Sequence, residues 1–303
     1  MTFSQRKKET AAGKGSSSRP RLWVCVLCAL LLAVVCFSAY QLADQLLRSK
    51  TEREDFEALA AIVSERPSVP EATDVRKPFA ASDNGGTEDV QDPCVTALPV
   101  LPTERAMLPQ YVPLYEMNHD VFGWLSIEGT GIDYPVMYTP DDPEYYIKRA
   151  FDGSDSGSGV PFMDGRCLRD GNYCLVYGHH MKDNTMFGLL PRYAEQDYCE
   201  EHPVIRFDTL YEQREYQVIA AFFSRVYDKT EPGVFRYYEY FDLTDEKVFE
   251  EYVESVREAA IYDTGFEVRY GDELLALSTC NYHTKDGRFV VVAKRTDGQL
   301  LPP

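Results

Sequence analysis

The chain has 303 residues, 44% of them hydrophobic, and a formal net charge of −18. So acidic a surface opposes the phosphate backbone and excludes a nucleic-acid-binding role, while the length predicts one domain of ordinary size with appendages. The charge is unevenly placed: Arg6, Lys7, Lys8, Lys14, Arg19 and Arg21 stand against Glu9 alone in residues 1–21, so the acidic excess belongs to everything that follows.

Residues 1–21 therefore read as a basic tail. From Leu22 to Tyr40 Ser38 is the only conventional polar residue, and a helix of that length spans roughly 28 Å, close to the hydrocarbon thickness of a bilayer. A transmembrane helix over 22–40 is predicted, single-pass, with the N-terminus cytoplasmic and the body outside. A cleaved signal peptide has a shorter apolar core and a small-residue cleavage site, and no clean Ala-x-Ala follows this run. A lipoprotein anchor at Cys36 wants a small residue where Val35 stands. Residues 41–66 place Leu42, Leu46, Leu47, Phe56, Leu59, Ile62 and Val63 at helical spacing among charges. This predicts a juxtamembrane amphipathic helix whose stripe packs on the body or at the lipid surface, with a solvated stalk as the alternative. Residues 67–107 turn to repeated Pro, Gly85-Gly86 and acids, the composition of a linker.

The folded body is expected over 108–303. It begins with a short helix at Leu114 to Asn118, then strands at Gly123 to Glu128 and Ile132 to Met137, and a short helix around Tyr145 to Ile147. A Gly/Ser/Asp loop follows at Asp152 to Gly159. Further strands are expected before Gly178, at Val204 to Asp208, at Tyr216 to Ser224 and at Phe266 to Tyr270. One amphipathic helix, Asp245 to Ala260, sets Val248, Phe249, Tyr252, Val253 and Val256 on one face. The chain closes with a hairpin, Glu273 to Cys280 and Arg288 to Lys294, with Asp286-Gly287 supplying the positive φ of its connection. Many short strands with a single substantial helix in the body predict a mostly β fold with peripheral helices, a closed antiparallel or mixed barrel.

The chemistry concentrates on that hairpin. Cys280 ends its first strand and Arg288 opens its second; as cross-strand neighbours they leave one face of the sheet with Cβ atoms roughly 5 Å apart. A third group stands upstream, where an apolar strand runs into Gly178 and presents His179 at its end. A thiol nucleophile, an imidazole that titrates near neutrality and a permanent cation together suit acyl transfer. His180 is taken as a neighbour that faces solvent or forms a hydrogen bond. Ser278, Thr279, Asn281 and Tyr177 flank these groups and are candidates for substrate contact, although hydroxyls at a strand end equally serve structural bonds. His179, His180, His283 and Cys280 offer metal donors, but no pair has zinc-like spacing, and no metal or cofactor is expected. Of the eight cysteines, Cys167, Cys174 and Cys199 share the body with Cys280, leaving room there for at most one disulfide that spares the nucleophile.

The segments Val176-Tyr177-Gly178-His179-His180-Met181-Lys182-Asp183-Asn184-Thr185-Met186-Phe187 and Leu277-Ser278-Thr279-Cys280, with Asp286-Gly287-Arg288-Phe289-Val290-Val291-Val292, resemble the histidine and cysteine/arginine blocks of class B sortases. Phe122 to Gly129, Ile132 to Met137 and Phe162-Met163-Asp164 resemble strands of that family, and the likeness covers about Leu108 to Lys294. It implies a sortase-like barrel over 108–303 with a long helix between the sixth and seventh strands, where Asp245 to Ala260 falls. It also implies a cell-surface cysteine transpeptidase needing no cofactor. Its catalytic residues would be Cys280, His179 and Arg288, and its partners secreted proteins bearing a C-terminal sorting signal and an amine of the peptidoglycan cross-bridge or, alternatively, a pilin lysine. Ala276 stands where sortases often have threonine, and Arg149-Ala150 where many class B members have His-Asn, so peptide specificity does not carry over. The competing functions are a cysteine peptidase that gives the acyl group to water and a barrel that binds wall components without turnover.

Overall fold

Short runs rich in Val, Ile, Phe and Tyr have the residue types that fill a pleated surface buried on both faces. In a computed structural model, which describes residues 19–64 and 106–296, they form eight strands: β1 (Val121–Ser126), β2 (Asp133–Met137), β3 (Phe162–Met163), β4 (Tyr173–Gly178), β5 (Val204–Thr209), β6 (Glu215–Arg225), β7 (Leu274–Cys280) and β8 (Gly287–Arg295). They close a barrel in the order β1-β2-β3-β4-β7-β8-β6-β5. β2 with β3 and β4 with β7 are parallel and the other pairs antiparallel, the mixed barrel among the expected forms. Most of the predicted basic tail and linker lie outside the described residues.

The described helices are α1 (Arg19–Ser64), α2 (Val112–Met117), α3 (Gln196–Glu201) and α4 (Glu246–Ala259). α4 begins where its sequence says: Asp245 caps it by accepting from the Val248 amide at 3.0 Å, and Phe249, Tyr252, Val253 and Val256 are buried. It lies between β6 and β7. The region near Tyr145 is a single 3-10 turn, Tyr145–Lys148, whose Tyr146 is buried.

α1 is unbroken, and Trp23–Ser64 is long and apolar enough to cross a membrane by length and composition. Its apolar residues do not share one fate. Leu42, Leu46 and Leu47 are exposed, whereas Phe56 and Leu59 are buried in the hydrophobic core that includes the barrel residues, and Ile62 and Val63 pack against it. Phe56 sets its ring edge-on to Tyr134, with centroids 5.2 Å apart. The chain divides into two compact units between Thr51 and Glu52, so these contacts belong to the unit that contains the barrel.

One expected strand is absent. Residues 263–269 have no regular structure, although their exposure alternates as in a strand. The barrel is closed, and β6, β7 and β8 each have a neighbour on both sides, so no edge remains for the segment to extend. It is held instead by scattered bonds, such as Thr264 Oγ1 to the Ile219 carbonyl at 2.7 Å and Lys294 Nζ to the Glu267 carbonyl at 2.8 Å.

Candidate active site

β4 and β7 run parallel as neighbours in the barrel and end together, with Gly178 beside Thr279. β8 runs antiparallel to β7 and pairs Cys280 with Arg288. These three strand ends form the floor of a cleft of about 400 Å³ that is lined by Tyr177, His179, Ser278, Thr279, Cys280 and Arg288. Six of the sequence-derived candidates thus share one cavity. The seventh, Asn281, lies outside the lining; its side-chain oxygen accepts from the backbone and ring of His283 at 3.0 Å.

The cysteine is distinguished by its setting. Cys280 is half-buried at a strand end, and all the described cysteines are free thiols. Cys167 and Cys174 are buried in the core, where loss of solvation pushes each thiol up to about 12, and burial raises Cys199 as well. Those three are protonated and shielded at neutral pH, which leaves Cys280 as the thiol suited to attack among the described cysteines of the barrel unit.

His179 donates from Nε2 to the Ile147 carbonyl at 2.6 Å. A carbonyl only accepts, so this bond fixes the proton on Nε2 and leaves Nδ1 as the basic nitrogen of the neutral ring. His180 is hydrogen-bonded, as one of its two expected roles required: its Nδ1 donates to the Cys280 carbonyl at 2.8 Å, and its ring lies tilted against Tyr282 with centroids 5.6 Å apart. It holds the backbone of Cys280.

Gly178 is required for packing. A Cβ there would lie 2.6 Å from the buried Phe187 ring, and Phe187 in turn donates its amide to the His179 carbonyl at 2.9 Å. Phe187 thus grips the strand end that presents the histidine. Gly178→Ala is expected to cost about 1–3 kcal/mol by overpacking and to displace His179, which thermal unfolding and turnover measured side by side would register. In the β7–β8 connection the positive φ belongs to Asp286, at 54°. Gly287 is needed because a side chain there would strike the Asn281 carbonyl, which faces it across the loop.

The flanking hydroxyls are committed to bonds. Thr279 Oγ1 donates to the Gly178 carbonyl at 2.8 Å, tying β7 to β4. Ser278 and Tyr237 share a hydrogen bond of 2.7 Å, and both are buried. Tyr237 is a residue that sequence reasoning missed, since it sits in an aromatic run with no periodicity. Burial pushes its hydroxyl up to about 12, partly offset by the Ser278 bond and by the positive field of Arg288. It therefore lies beneath the cysteine and arginine as a neutral phenol.

The opposite wall carries a neutralised charge. Arg166 grips Asp164 with both fork nitrogens, Nε to Oδ1 at 2.9 Å and Nη2 to Oδ2 at 2.7 Å, and Tyr177 donates to the same carboxylate at 3.1 Å. Burial opposes ionisation of Asp164, but the arginine bonds prevail and hold it below the usual carboxylate range. Burial beside that charge raises the Tyr177 hydroxyl. Arg288 differs: its Nη1 bonds its own Gly287 carbonyl at 3.0 Å, and among the described residues no carboxylate pairs with it. The cleft thus holds a thiol, an imidazole and an uncompensated guanidinium against walls of Ile147, Val160 and Phe162.

Comparison with known proteins agrees with this arrangement. The model of the sortase domain family matches residues 125–296. This chain belongs to the sortase family. Sortase B of Staphylococcus aureus is 30% identical over 190 residues, 61% of this chain and 74% of that protein. Sortase B of Listeria monocytogenes is 30% identical over 185 residues, 60% and 72% of the two chains. Among solved structures, the Staphylococcus aureus sortase B–substrate complex aligns with a TM-score of 0.56 at 29% identity, covering 63% of this chain and 86% of that one. The likeness is to class B, and the barrel with α4 between β6 and β7 has the form expected of it. Sortases are cysteine transpeptidases associated with the cell surface, and this sortase has the same enzyme chemistry together with an apolar N-terminal helix suited to anchoring.

Proposed function

We propose that this sortase cleaves a C-terminal sorting signal of secreted proteins through a thioacyl-enzyme on Cys280 and transfers them to an amine of the cell-wall peptidoglycan. The observation that carries the residue assignment is the pairing of Cys280 with Arg288 at the ends of β7 and β8, in one cleft with His179. The Cys280 thiolate attacks the carbonyl of the scissile peptide bond, forming a C–S bond and a tetrahedral oxyanion. Arg288 faces that oxyanion with a charge that no carboxylate offsets among the described residues. On collapse the C–N bond breaks, and His179, as imidazolium, gives its proton to the departing amine. The incoming amine then attacks the thioester, His179 takes its proton, and Cys280 leaves as thiolate. No cofactor enters.

In this arrangement residues 1–21 form a cytoplasmic tail, 22–40 the membrane span, 41–66 a juxtamembrane helix and 67–107 a linker, with the catalytic domain, 108–303, on the outer face. The order of basic residues and apolar run supports that orientation. A pilin lysine as acceptor uses the same chemistry and would make the enzyme a polymerase of pilus subunits.

The test is intact-mass analysis of the full chain in detergent micelles, with candidate sorting-signal peptides, with and without triglycine. A thioacyl adduct on Cys280 that converts to an amine-linked product is expected. Release of free acid alone in the presence of amine would replace transpeptidation by hydrolysis. An adduct on any other residue would overturn the site.

A further inference from the structure

The carbonyl that holds His179 is itself held from an unexpected direction. Ile147 sits in the 3-10 turn Tyr145–Lys148, and the loop that follows wraps back around it. The Val160 amide donates to the Tyr146 carbonyl at 3.2 Å and the Ser156 amide to the Lys148 carbonyl at 3.0 Å, so the residues on either side of Ile147 are both tied to the loop. Gly159, at φ +61°, lies against the Ile147 carbonyl so closely that a Cβ would come within 2.7 Å of its oxygen.

The loop in turn closes on a carboxylate from α1. Glu52 Oε1 accepts from Ser156 Oγ at 2.8 Å and from the Gly157 amide at 3.0 Å, and Oε2 accepts from Ser158 Oγ at 2.8 Å. Ser156 and Ser158 are buried, and Ser156 Oγ also accepts from the Ser158 and Gly159 amides at 3.2 and 3.0 Å. A charged acceptor with this many donors makes the strong kind of hydrogen bond, and removing it takes that acceptor from two buried hydroxyls and an amide. Phe56, one turn on, is buried in the core and fixes the helix face that presents Glu52.

We propose, resting on the assignment of His179 as the acid–base residue, that Glu52 is a positioning residue for catalysis. Through the loop 156–159 it sets the place of the Ile147 carbonyl and hence the orientation of the imidazole. The side chain touches no reacting atom. It acts on the geometry of the proton transfers and not on capture of the peptide, so its loss falls on kcat and leaves KM in place.

The experiment uses the full chain in detergent micelles, with active sites counted as Cys280 alkylated in a brief pulse and located by peptide mass mapping, so that the exposed thiols of α1 do not enter the count, and with folding checked by thermal unfolding of the same sample. For Glu52→Ala, kcat per titrated site is expected to fall on the order of tenfold, with KM within about twofold. Glu52→Gln keeps the volume and an acceptor oxygen for Ser156 and Gly157, and is expected to restore kcat to within about threefold of the parent. Adding Ser158→Ala to Glu52→Ala is expected to cost nothing further, since both act through one contact. Parental kcat per site in Glu52→Ala, alongside an inactive His179→Ala, would overturn the positioning role and leave the acid–base assignment standing. A rise in KM at unchanged kcat would also overturn it, moving the loop to peptide binding. Parental turnover in His179→Ala would remove both.

Discussion

Cys280→Ala is expected to give a folded chain that forms no thioacyl adduct and whose turnover drops by at least about 10⁴-fold, the scale on which removal of a nucleophile is felt. The size follows from the lack of a substitute among the described cysteines of the barrel unit. Cys167 and Cys174 are buried with thiols pushed up to about 12, and Cys199 is buried too, so none can attack in its place. Folding is expected to survive because Cys280 is half-exposed at the end of β7 and its carbonyl, which receives the His180 bond, is backbone and remains. Intact mass after incubation with a sorting-signal peptide reads the adduct, and thermal unfolding of the same sample reads the fold. An adduct in the alanine variant would place the nucleophile elsewhere.

What the sequence made legible was whatever depended on local pattern. α4 could be read from its period, and the β7–β8 hairpin from two β-branched runs about a polar connection. Since residues facing each other across a hairpin follow from its register, the pairing of Cys280 with Arg288 came with it. What required a third dimension was not legible. Leu42, Leu46, Leu47, Phe56 and Leu59 recur at intervals that fit a helix, but the spacing does not say that only the last two are covered. The period-2 run at Phe266 to Tyr270 has strand chemistry, but closure of the barrel leaves it no edge. Gly178 announces a special position without saying that the Phe187 ring creates it. The hydroxyls of Ser278 and Thr279 point equally well to substrate or to structure by residue type; their bonds to Tyr237 and to the Gly178 carbonyl come from elements far apart in the chain.

Arg288→Lys is expected to lower kcat by about 10²-fold and Arg288→Ala by about 10³-fold, with the KM for peptide changing much less, the pattern of an interaction made mainly in the transition state. Lysine keeps the charge but loses the planar fork, so it separates geometry from field. One nitrogen of that fork is already held: Nη1 bonds the Gly287 carbonyl at 3.0 Å, which fixes the guanidinium over the start of β8 while its remaining donors stay available to an oxyanion formed on Cys280 across the hairpin. A lysine ammonium in its place has to reach the same oxyanion with a single mobile group. The charge is uncompensated among the described residues in a chain whose formal net charge is −18, and Asp164, the buried carboxylate of the opposite wall, is already taken up by Arg166. Steady-state rates over a peptide concentration series, with saturating amine, check the prediction. Equal kcat for lysine and arginine would reduce the role to simple charge, and a large rise in KM at constant kcat would make Arg288 an anchor for the peptide in the ground state.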